Sequence, residues 1–216
     1  MENEESNLLA RLSKRERVEL GVAQVMLFFV LPIVLLYFNI IPVEGRMVAL
    51  LVFSVLIFSI IRNEGWREGD LGISTRTIRP YLIPYIFATF FSLVGIVYVA
   101  HELNFFPVDD WWTNPHFLFL FIFISIFQEF TFRGFLIPVL GRIFTDRFTI
   151  VLVNAFIFAG MHAIYSFPVT AFVFSFIGGL IFAGMYVRYP NLILVSIMHC
   201  IMNFVAVLFG FFTLGQ

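Results

Sequence analysis

Polar side chains occur at helical spacing in three strongly apolar stretches of the second half of the chain. The first stretch contains Glu129 and Arg133, the second contains His162, and the third contains His199 and Asn203. Residues four apart lie on one face of a helix, so each pair shares a face. A carboxylate, two imidazoles and a carboxamide that meet in one cavity would suit water-mediated hydrolysis, because they supply proton acceptors and donors to an oxyanion.

Each polar pair also has a purely structural explanation. Glu129 and Arg133 could form an internal ion pair, and His199 with Asn203 could supply hydrogen bonds between helices. An isolated charge at the centre of a bilayer costs ~2.5–3.5 kcal/mol on insertion scales. Because three helices accept polar groups at once, we favour one shared hydrated cavity over three separate structural solutions.

The composition predicts that these stretches are membrane-spanning helices. The chain has 216 residues, of which 61% are hydrophobic and only 12% charged, and its mean hydropathy is +0.97. A soluble domain of this length has too much surface to hide so many apolar side chains. The fold-class prediction is therefore all-α: a polytopic transmembrane helical bundle. A net charge of −1 favours no nucleic-acid partner, and the single cysteine, Cys200, cannot form an internal disulfide.

Seven apolar segments predict about seven transmembrane spans. In order, they are 20–41, 47–61, 80–100, 117–140, 148–165, 168–188 and 191–213. Arginine and lysine cluster before the first segment and after the second, fourth and sixth, whereas the other loops contain only Arg46. By the positive-inside rule, this alternation predicts a cytoplasmic N-terminus. Close helix packing is predicted for the sixth segment by small residues four apart: Ala171, Ser175, Gly179 and Ala183.

The depth of His162 is a difficulty for a shared cavity. If the fifth span enters from the cytoplasm near residue 148, His162 lies toward the outer side of the membrane, whereas Glu129 is near mid-depth. Either the fifth helix starts later or sits lower than its apolar run predicts, or the polar groups do not meet.

Taken in order, the polar patterns resemble the motifs of the CPBP (Abi) family of glutamic intramembrane proteases, which includes CAAX prenyl proteases and bacteriocin-processing and immunity proteins. The family's E-E-x-x-x-R motif is matched by QEFTFR at 128–133, apart from its first residue. F-x-x-x-H is matched from Phe158 to His162, and H-x-x-x-N/D from His199 to Asn203. The resemblance covers roughly residues 115 to 210. The implied organisation is a cytoplasmic segment at 1–19, N-terminal transmembrane helices at 20–114 and a catalytic transmembrane core at 115–213.

The resemblance implies an intramembrane endopeptidase and a role for each motif residue. A motif-one glutamate and His162 would activate water, and His199 with Asn203 would bind the oxyanion. Arg133 would hold the motif-one acids in place, and Phe158 opens the second motif.

Gln128 departs from the family pattern, because it occupies the position of the first glutamate, which is usually given the role of base. An amide cannot accept a proton at useful pH, and the loss of a general base costs ~10²–10⁴ in rate. Three explanations stay open. Glu129 acts as the base in a variant site, the protein is a non-catalytic member that binds a peptide or a membrane partner, or the amide is an engineered replacement.

Two other classes of function also fit intramembrane acids and imidazoles. Glu129, His162 and His199 could form a His₂Glu zinc site, but H-E-x-x-H is absent and no carboxylate is evident to orient a zinc-bound histidine. We therefore expect no cofactor, with zinc as the second choice. A proton-coupled transporter is the other alternative, because glutamate and histidine also form proton relays. A retinal protein is excluded, since the only lysine, Lys14, precedes the first span.

The expected partners are membrane lipids and a peptide or lipidated-peptide substrate. A CAAX-type C-terminal peptide and a bacteriocin-type leader peptide are both compatible with the motifs. The resemblance favours the plasma membrane of a prokaryotic cell, and the sequence does not define the oligomeric state.

Overall fold

The computed structural model of the chain describes residues 12–113, 119, 121–162 and 168–211. Within these residues the chain forms seven main helices and no β-strand. They are α1 (Lys14–Tyr37), α2 (Arg46–Asn63), α3 (Ile78–Glu102), α4 (Phe121–Ile143), α5 (Arg147–Gly160), α6 (Pro168–Arg188) and α7 (Leu192–Leu208). The predicted all-α fold, with about seven helical segments, is confirmed.

The helices differ in length. Within the described part of the chain, α1, α3, α4 and α6 are long and apolar enough to cross a bilayer, whereas α2, α5 and α7 are shorter. The shortest, α5, has 14 residues, about 21 Å of helix. The predicted start of the fourth span at 117, and the predicted ends of the fifth and seventh spans at 165 and 213, lie outside the described residues.

The first helix begins six residues earlier than its apolar run predicts. Ser13 caps it, because the Ser13 side chain accepts a hydrogen bond from the backbone of Glu16 and the Glu16 carboxylate accepts one from the backbone of Ser13. This reciprocal capping box stabilises a polar first turn that hydrophobicity alone does not reveal. The rest of the predicted segment at 1–19 lies largely outside the described residues.

Helix α4 is the centre of the bundle. All its residues from 131 to 137 are buried, and the helix packs against α1, α2, α5 and α7. The outer surface of α3, by contrast, exposes Ile83, Phe87 and Phe91. An apolar exposed face of this kind is suited to hydrocarbon.

The small residues of α6 allow a close approach to α5. A β-carbon at Gly179 would lie 3.0 Å from the α-carbon of Ala155 and 3.2 Å from the Phe158 ring. Ala171, Ser175 and Ala183 are buried on the same face. The packing role predicted for this stripe is therefore confirmed, and it brings α6 against the helix that carries Phe158.

Two π-helical segments face each other in the core. They are Met26–Val30 in α1 and Phe130–Leu136 in α4. The Phe29 ring lies 5.3 Å from the Phe132 ring and 6.3 Å from the Phe135 ring, measured between centroids. Such wide turns are rare and occur frequently at functional sites. The segment in α4 begins directly after Glu129.

Candidate active site

Glu129 and Arg133 form a fully buried ion pair on α4. Both side chains are 0% exposed, and an Arg133 terminal nitrogen lies 3.1 Å from Oε1 of Glu129. The guanidinium carbon lies 4.5 Å from the ring centroid of Phe158 and 5.2 Å from that of Phe182. A second terminal nitrogen points to the Gly179 carbonyl at 3.4 Å. The charge of the arginine is thus compensated by a carboxylate, two aromatic faces and a carbonyl.

His199 contacts the same carboxylate from α7. Its Nδ1 lies 2.6 Å from Oε1 of Glu129, within hydrogen-bond distance of the carboxylate. The imidazole stacks on the Phe182 ring, with centroids 4.5 Å apart. Glu129 therefore joins an arginine on its own helix to an imidazole that is 70 positions away in the sequence.

His162 reaches the same aromatic cluster from the end of α5. Its ring folds back onto the preceding turn, with Nδ1 2.8 Å from the Phe158 carbonyl oxygen and the two rings 4.6 Å apart. The Phe158 ring is also 5.8 Å from the ring of His199. Both imidazoles therefore contact Phe158. Helix α5 ends at Gly160, and the His162 side chain leans back along it toward Phe158.

Asn203 lies one helical turn beyond His199, on the same face of α7. Its amide nitrogen donates to the Ser125 hydroxyl at 3.2 Å. Ser125 is fully buried and precedes Glu129 by one turn of α4. Two successive turns of α4 and α7 are therefore connected, first through Ser125 and Asn203 and then through Glu129 and His199.

Gln128 is half-buried and does not take part in these contacts. Within the described residues, the hydrogen bond and ion pair of Glu129 run to His199 and Arg133. Of the predicted site residues, Arg133 and His199 contact the Glu129 carboxylate directly. Phe158 contacts both histidines and the Arg133 guanidinium, and Asn203 bonds to Ser125, one turn before Glu129. Gln128 lies next to Glu129 in the sequence but turns to another side of the helix.

Several buried polar atoms in this region have no hydrogen-bond partner among the described residues. They are Oε2 of Glu129, two guanidinium nitrogens of Arg133, Oδ1 of Asn154 and the hydroxyl of Ser175. The Glu129–Arg133 contact is therefore a close approach of charges without an aligned hydrogen bond. An unmade buried hydrogen bond costs about 1–3 kcal/mol, and such groups in a native protein call for an explanation such as a catalytic role.

Asn154 is a site residue that the motif search missed. It is fully buried on α5 and donates to the Phe132 carbonyl at 2.8 Å, inside the π-helical segment of α4. The sequence does carry a signal for it, since Asn154, Phe158 and His162 follow one another at intervals of four.

The alternative zinc site would need Glu129, His162 and His199 to converge on one metal ion. No group of three histidine, cysteine, aspartate or glutamate side chains in the described parts of the chain is arranged to hold a metal ion. Glu129, His162 and His199 are all described, and they do not form such a group.

Fold and site together define a helical bundle built for a membrane, with a buried glutamate–arginine–histidine cluster at its centre. Residues 110–205 match the family model described as type II CAAX prenyl endopeptidase Rce1-like. This match confirms the relationship to the CPBP and CAAX protease family that the motifs predicted, and it includes all seven predicted site residues. The protein is an integral membrane protein related to proteases. Neither a curated protein nor a solved structure matches the chain.

Proposed function

We propose that the protein is an intramembrane endopeptidase that hydrolyses a peptide bond with water activated at the Glu129–His199 pair. The observation that carries this proposal is the 2.6 Å contact between Nδ1 of His199 and the buried Glu129 carboxylate. A carboxylate bonded to Nδ1 orients an imidazole and stabilises the imidazolium that forms when its other nitrogen takes a proton.

The partners of both histidines favour the same tautomer. Nδ1 of His199 faces a carboxylate oxygen, and Nδ1 of His162 faces the Phe158 carbonyl oxygen. Because each of these oxygens accepts a hydrogen bond, each Nδ1 carries the hydrogen and Nε2 is the basic nitrogen of the neutral ring. The geometry therefore favours His199 as a proton acceptor, whereas the family resemblance implied an oxyanion donor.

Hydrolysis then proceeds in two balanced steps. Water transfers a proton to Nε2 of His199 while its oxygen attacks the carbonyl carbon of the peptide. Asn203 donates an amide hydrogen to the resulting oxyanion, since its nitrogen has two hydrogens and Ser125 takes one. The carbon–nitrogen bond breaks as the imidazolium returns the proton to the leaving amine. His162 supplies a second imidazole of the same tautomer for positioning the water, and no metal ion takes part.

With an imidazole as the proton acceptor, Gln128 does not remove the base. Gln128 replaces a family carboxylate, but the described hydrogen bond and ion pair of Glu129 do not involve position 128. We therefore expect the chain to be active as it stands.

A partly lipid-soluble substrate fits the surroundings of the site. An apolar groove of about 780 Å³ lies between α2, α4 and α7, and Phe130 and Ser196, close in sequence to Glu129 and His199, line it. The same groove contains Cys200, the only cysteine of the chain. If a lipidated peptide occupies the groove, it should slow maleimide labelling of Cys200, whereas the unlipidated peptide should not. We expect this chemistry in a prokaryotic plasma membrane.

A non-catalytic peptide-binding protein is the second candidate. It is favoured by the absence of the first glutamate at Gln128 and by the 0% exposure of Glu129. In that case the same cluster would hold a peptide without cleaving it.

The test is cleavage of lipidated and unlipidated peptides by the purified protein in liposomes, followed by mass spectrometry. Cleavage should be abolished by Glu129→Ala and by His162→Ala, and should persist in His101→Ala, which changes an exposed histidine. It should also persist in the presence of a chelator, and loss of activity on chelation would favour zinc. Binding of a peptide without cleavage by any form would instead support the second candidate.

A further inference from the structure

The connection between α2 and α3 crosses the end of the bundle at which the arginine-rich loops lie. We call residues 64–77 the strap. It contains one short 3₁₀ turn, Glu68–Leu71, and otherwise has no regular structure. One end is held by α4, which carries Glu129, and the other end is held by α7, which carries His199.

The first end of the strap is fastened by a buried polar cluster. Oε1 of Glu64 accepts a hydrogen bond from Gln24 at 2.5 Å, and Oε2 accepts from Arg142 at 2.6 Å and from the Trp66 indole at 2.8 Å. Arg142 also donates to the side-chain amide oxygen Oε1 of Gln24 at 3.0 Å. Both oxygens of Glu64 are thus bonded, so the strap is tied firmly to α1 and to the last turn of α4.

Trp66 extends this attachment toward the site. Its ring lies 5.1 Å from the guanidinium of Arg142 on one side and stacks on the Phe135 ring at 5.6 Å. Phe135 is fully buried in the same π-helical segment as Arg133. The strap therefore contacts the segment of α4 that follows Glu129 directly.

The second part of the strap is fastened to the first turn of α7. The backbone nitrogen of Leu192 donates to the Gly72 carbonyl at 2.9 Å. The Asn191 amide donates to the Ser74 carbonyl and to the Thr77 hydroxyl, each at 2.8 Å, while its oxygen caps α7 at Leu194. His199 lies seven residues beyond Leu192, which is about 10 Å along the helix.

Gly72 is required at the crossing point. Its φ of +65° lies in the left-handed region, and a β-carbon there would lie 2.7 Å from the hydroxyl of Tyr186. Tyr186 follows Phe182, on which His199 stacks, by one turn of α6. The strap thus packs against α6 one turn away from Phe182, the residue on which His199 stacks.

We propose that the strap is a positioning element that sets the height of α4 relative to α7 and thereby holds the Glu129 carboxylate on Nδ1 of His199. A catalytic group must be held within about 0.5 Å of its productive position, and a hydrogen bond of 2.6 Å does not tolerate sliding of one helix past the other. The catalytic consequence rests on the proposed function, whereas the geometric consequence does not.

Two variants with matched controls distinguish an effect of the strap on the Glu129–His199 contact from a general loss of stability. Glu64→Gln keeps the shape of the side chain but presents an amide to the donors of Arg142 and Trp66, and its control is Glu68→Gln, an exposed position on the same strap. Thr77→Val removes the hydroxyl that accepts from Asn191 and donates to the Ser74 carbonyl of the strap. Its control is Thr89→Val, whose hydroxyl bonds the Tyr85 carbonyl within α3.

The first measurement is the ¹H–¹⁵N spectrum of ¹⁵N-histidine-labelled protein in micelles, with the His199 signal assigned from His199→Gln. We expect the downfield Nδ1–H signal of His199 to shift upfield or broaden in both strap variants and to stay in place in both controls. In liposomes, kcat should fall roughly 10- to 100-fold in the strap variants with KM within about 3-fold, since a misplacement of ~1 Å can cost ~10² in rate.

An unchanged His199 signal in folded Thr77→Val would overturn the proposal, and that variant carries the test if Glu64→Gln does not fold. A shifted signal in a protein that cleaves no peptide would support the strap and would contradict the proposed function instead.

Discussion

Oε1 of Glu129 and Nδ1 of His199 meet at 2.6 Å in a part of the bundle where both side chains are buried. The contact joins α4 to α7, and Arg133 completes it from the next turn of α4. A buried carboxylate is stable only when its charge is compensated. The guanidinium provides this compensation and the imidazole donates a hydrogen bond, and the same arrangement prepares the imidazole to accept a proton.

Removal of the Glu129 charge should impair the chemistry of the site. Glu129→Gln keeps the size of the side chain but loses the charge that stabilises the imidazolium, so cleavage should fall by ~10²–10⁴. The measurement is the initial rate of peptide cleavage in liposomes. Glu102→Gln is the matched control, because Glu102 is exposed and pairs with the exposed His101. A rate within about 2-fold of wild type for Glu129→Gln would contradict the assignment of this carboxylate.

Loss of Arg133 should destabilise the bundle. Arg133→Met leaves the fully buried Glu129 without its cation, and breaking one side of a buried pair costs about 3–5 kcal/mol. The free energy of unfolding can be measured by SDS titration followed by circular dichroism. Arg15→Met is the control, since Arg15 forms an exposed pair with Glu19 that should contribute at most about 1 kcal/mol. Equal effects of the two substitutions would show that the Glu129–Arg133 pair has no special energetic role.

Gly179 should tolerate no side chain, whereas Gly184, five positions later on the same helix, should accept one. In Gly179→Ala the new β-carbon would lie 3.0 Å from Ala155 and 3.2 Å from the Phe158 ring, which forces α5 and α6 apart. We expect a loss of about 1–3 kcal/mol and slower cleavage, because Phe158 contacts both histidines.

In Gly184→Ala nothing lies within 4 Å of the added carbon, so stability should be unchanged or higher by about 0.5–1 kcal/mol. Unfolding titrations of both variants check the pair. Similar stabilities for the two would mean that α5 and α6 do not pack as closely as described.

Asn154 should hold the π-helical segment of α4 in place. Asn154→Leu has nearly the same size but cannot donate to the Phe132 carbonyl, so a buried acceptor loses its partner at a cost of about 1–3 kcal/mol. Hydrogen exchange of the amides at 130–136 should accelerate selectively. Ser92→Ala serves as the control, since the Ser92 hydroxyl donates to the Ala88 carbonyl in the preceding turn of its own helix. Unchanged exchange at 130–136 would show that Asn154 does not hold the π-helical segment in place.

The helices and the main polar faces are predictable from the sequence, because both follow from local patterns. Apolar runs of sufficient length predict the helices, and intervals of four residues place Glu129 with Arg133 and His199 with Asn203. The polar patterns predicted a shared cavity but not the direct contact between Glu129 and His199, since nothing in the spacing states which side chains of neighbouring helices meet.

The rest depends on tertiary contacts between distant residues. In the sequence, Arg142 is one of several loop arginines that indicate membrane topology. In the structure it is bonded to Gln24, 118 positions away, and to Glu64, 78 positions away. The π-helical segment of α4 is likewise invisible locally, because the carbonyl at Phe132 is satisfied by Asn154 of another helix. Charge and hydropathy patterns carry no information about such pairings.

The role of Gln128 is the most direct test of the central claim that the Glu129–His199 pair activates water. The measurement is the initial rate of cleavage of one lipidated peptide by wild type, Gln128→Glu and His199→Gln in identical liposomes. We predict that wild type cleaves, that Gln128→Glu changes its rate by less than about 10-fold, and that His199→Gln loses at least about 10² of it. An inactive wild type that becomes active only as Gln128→Glu would contradict the claim, because the base would then be a carboxylate at position 128.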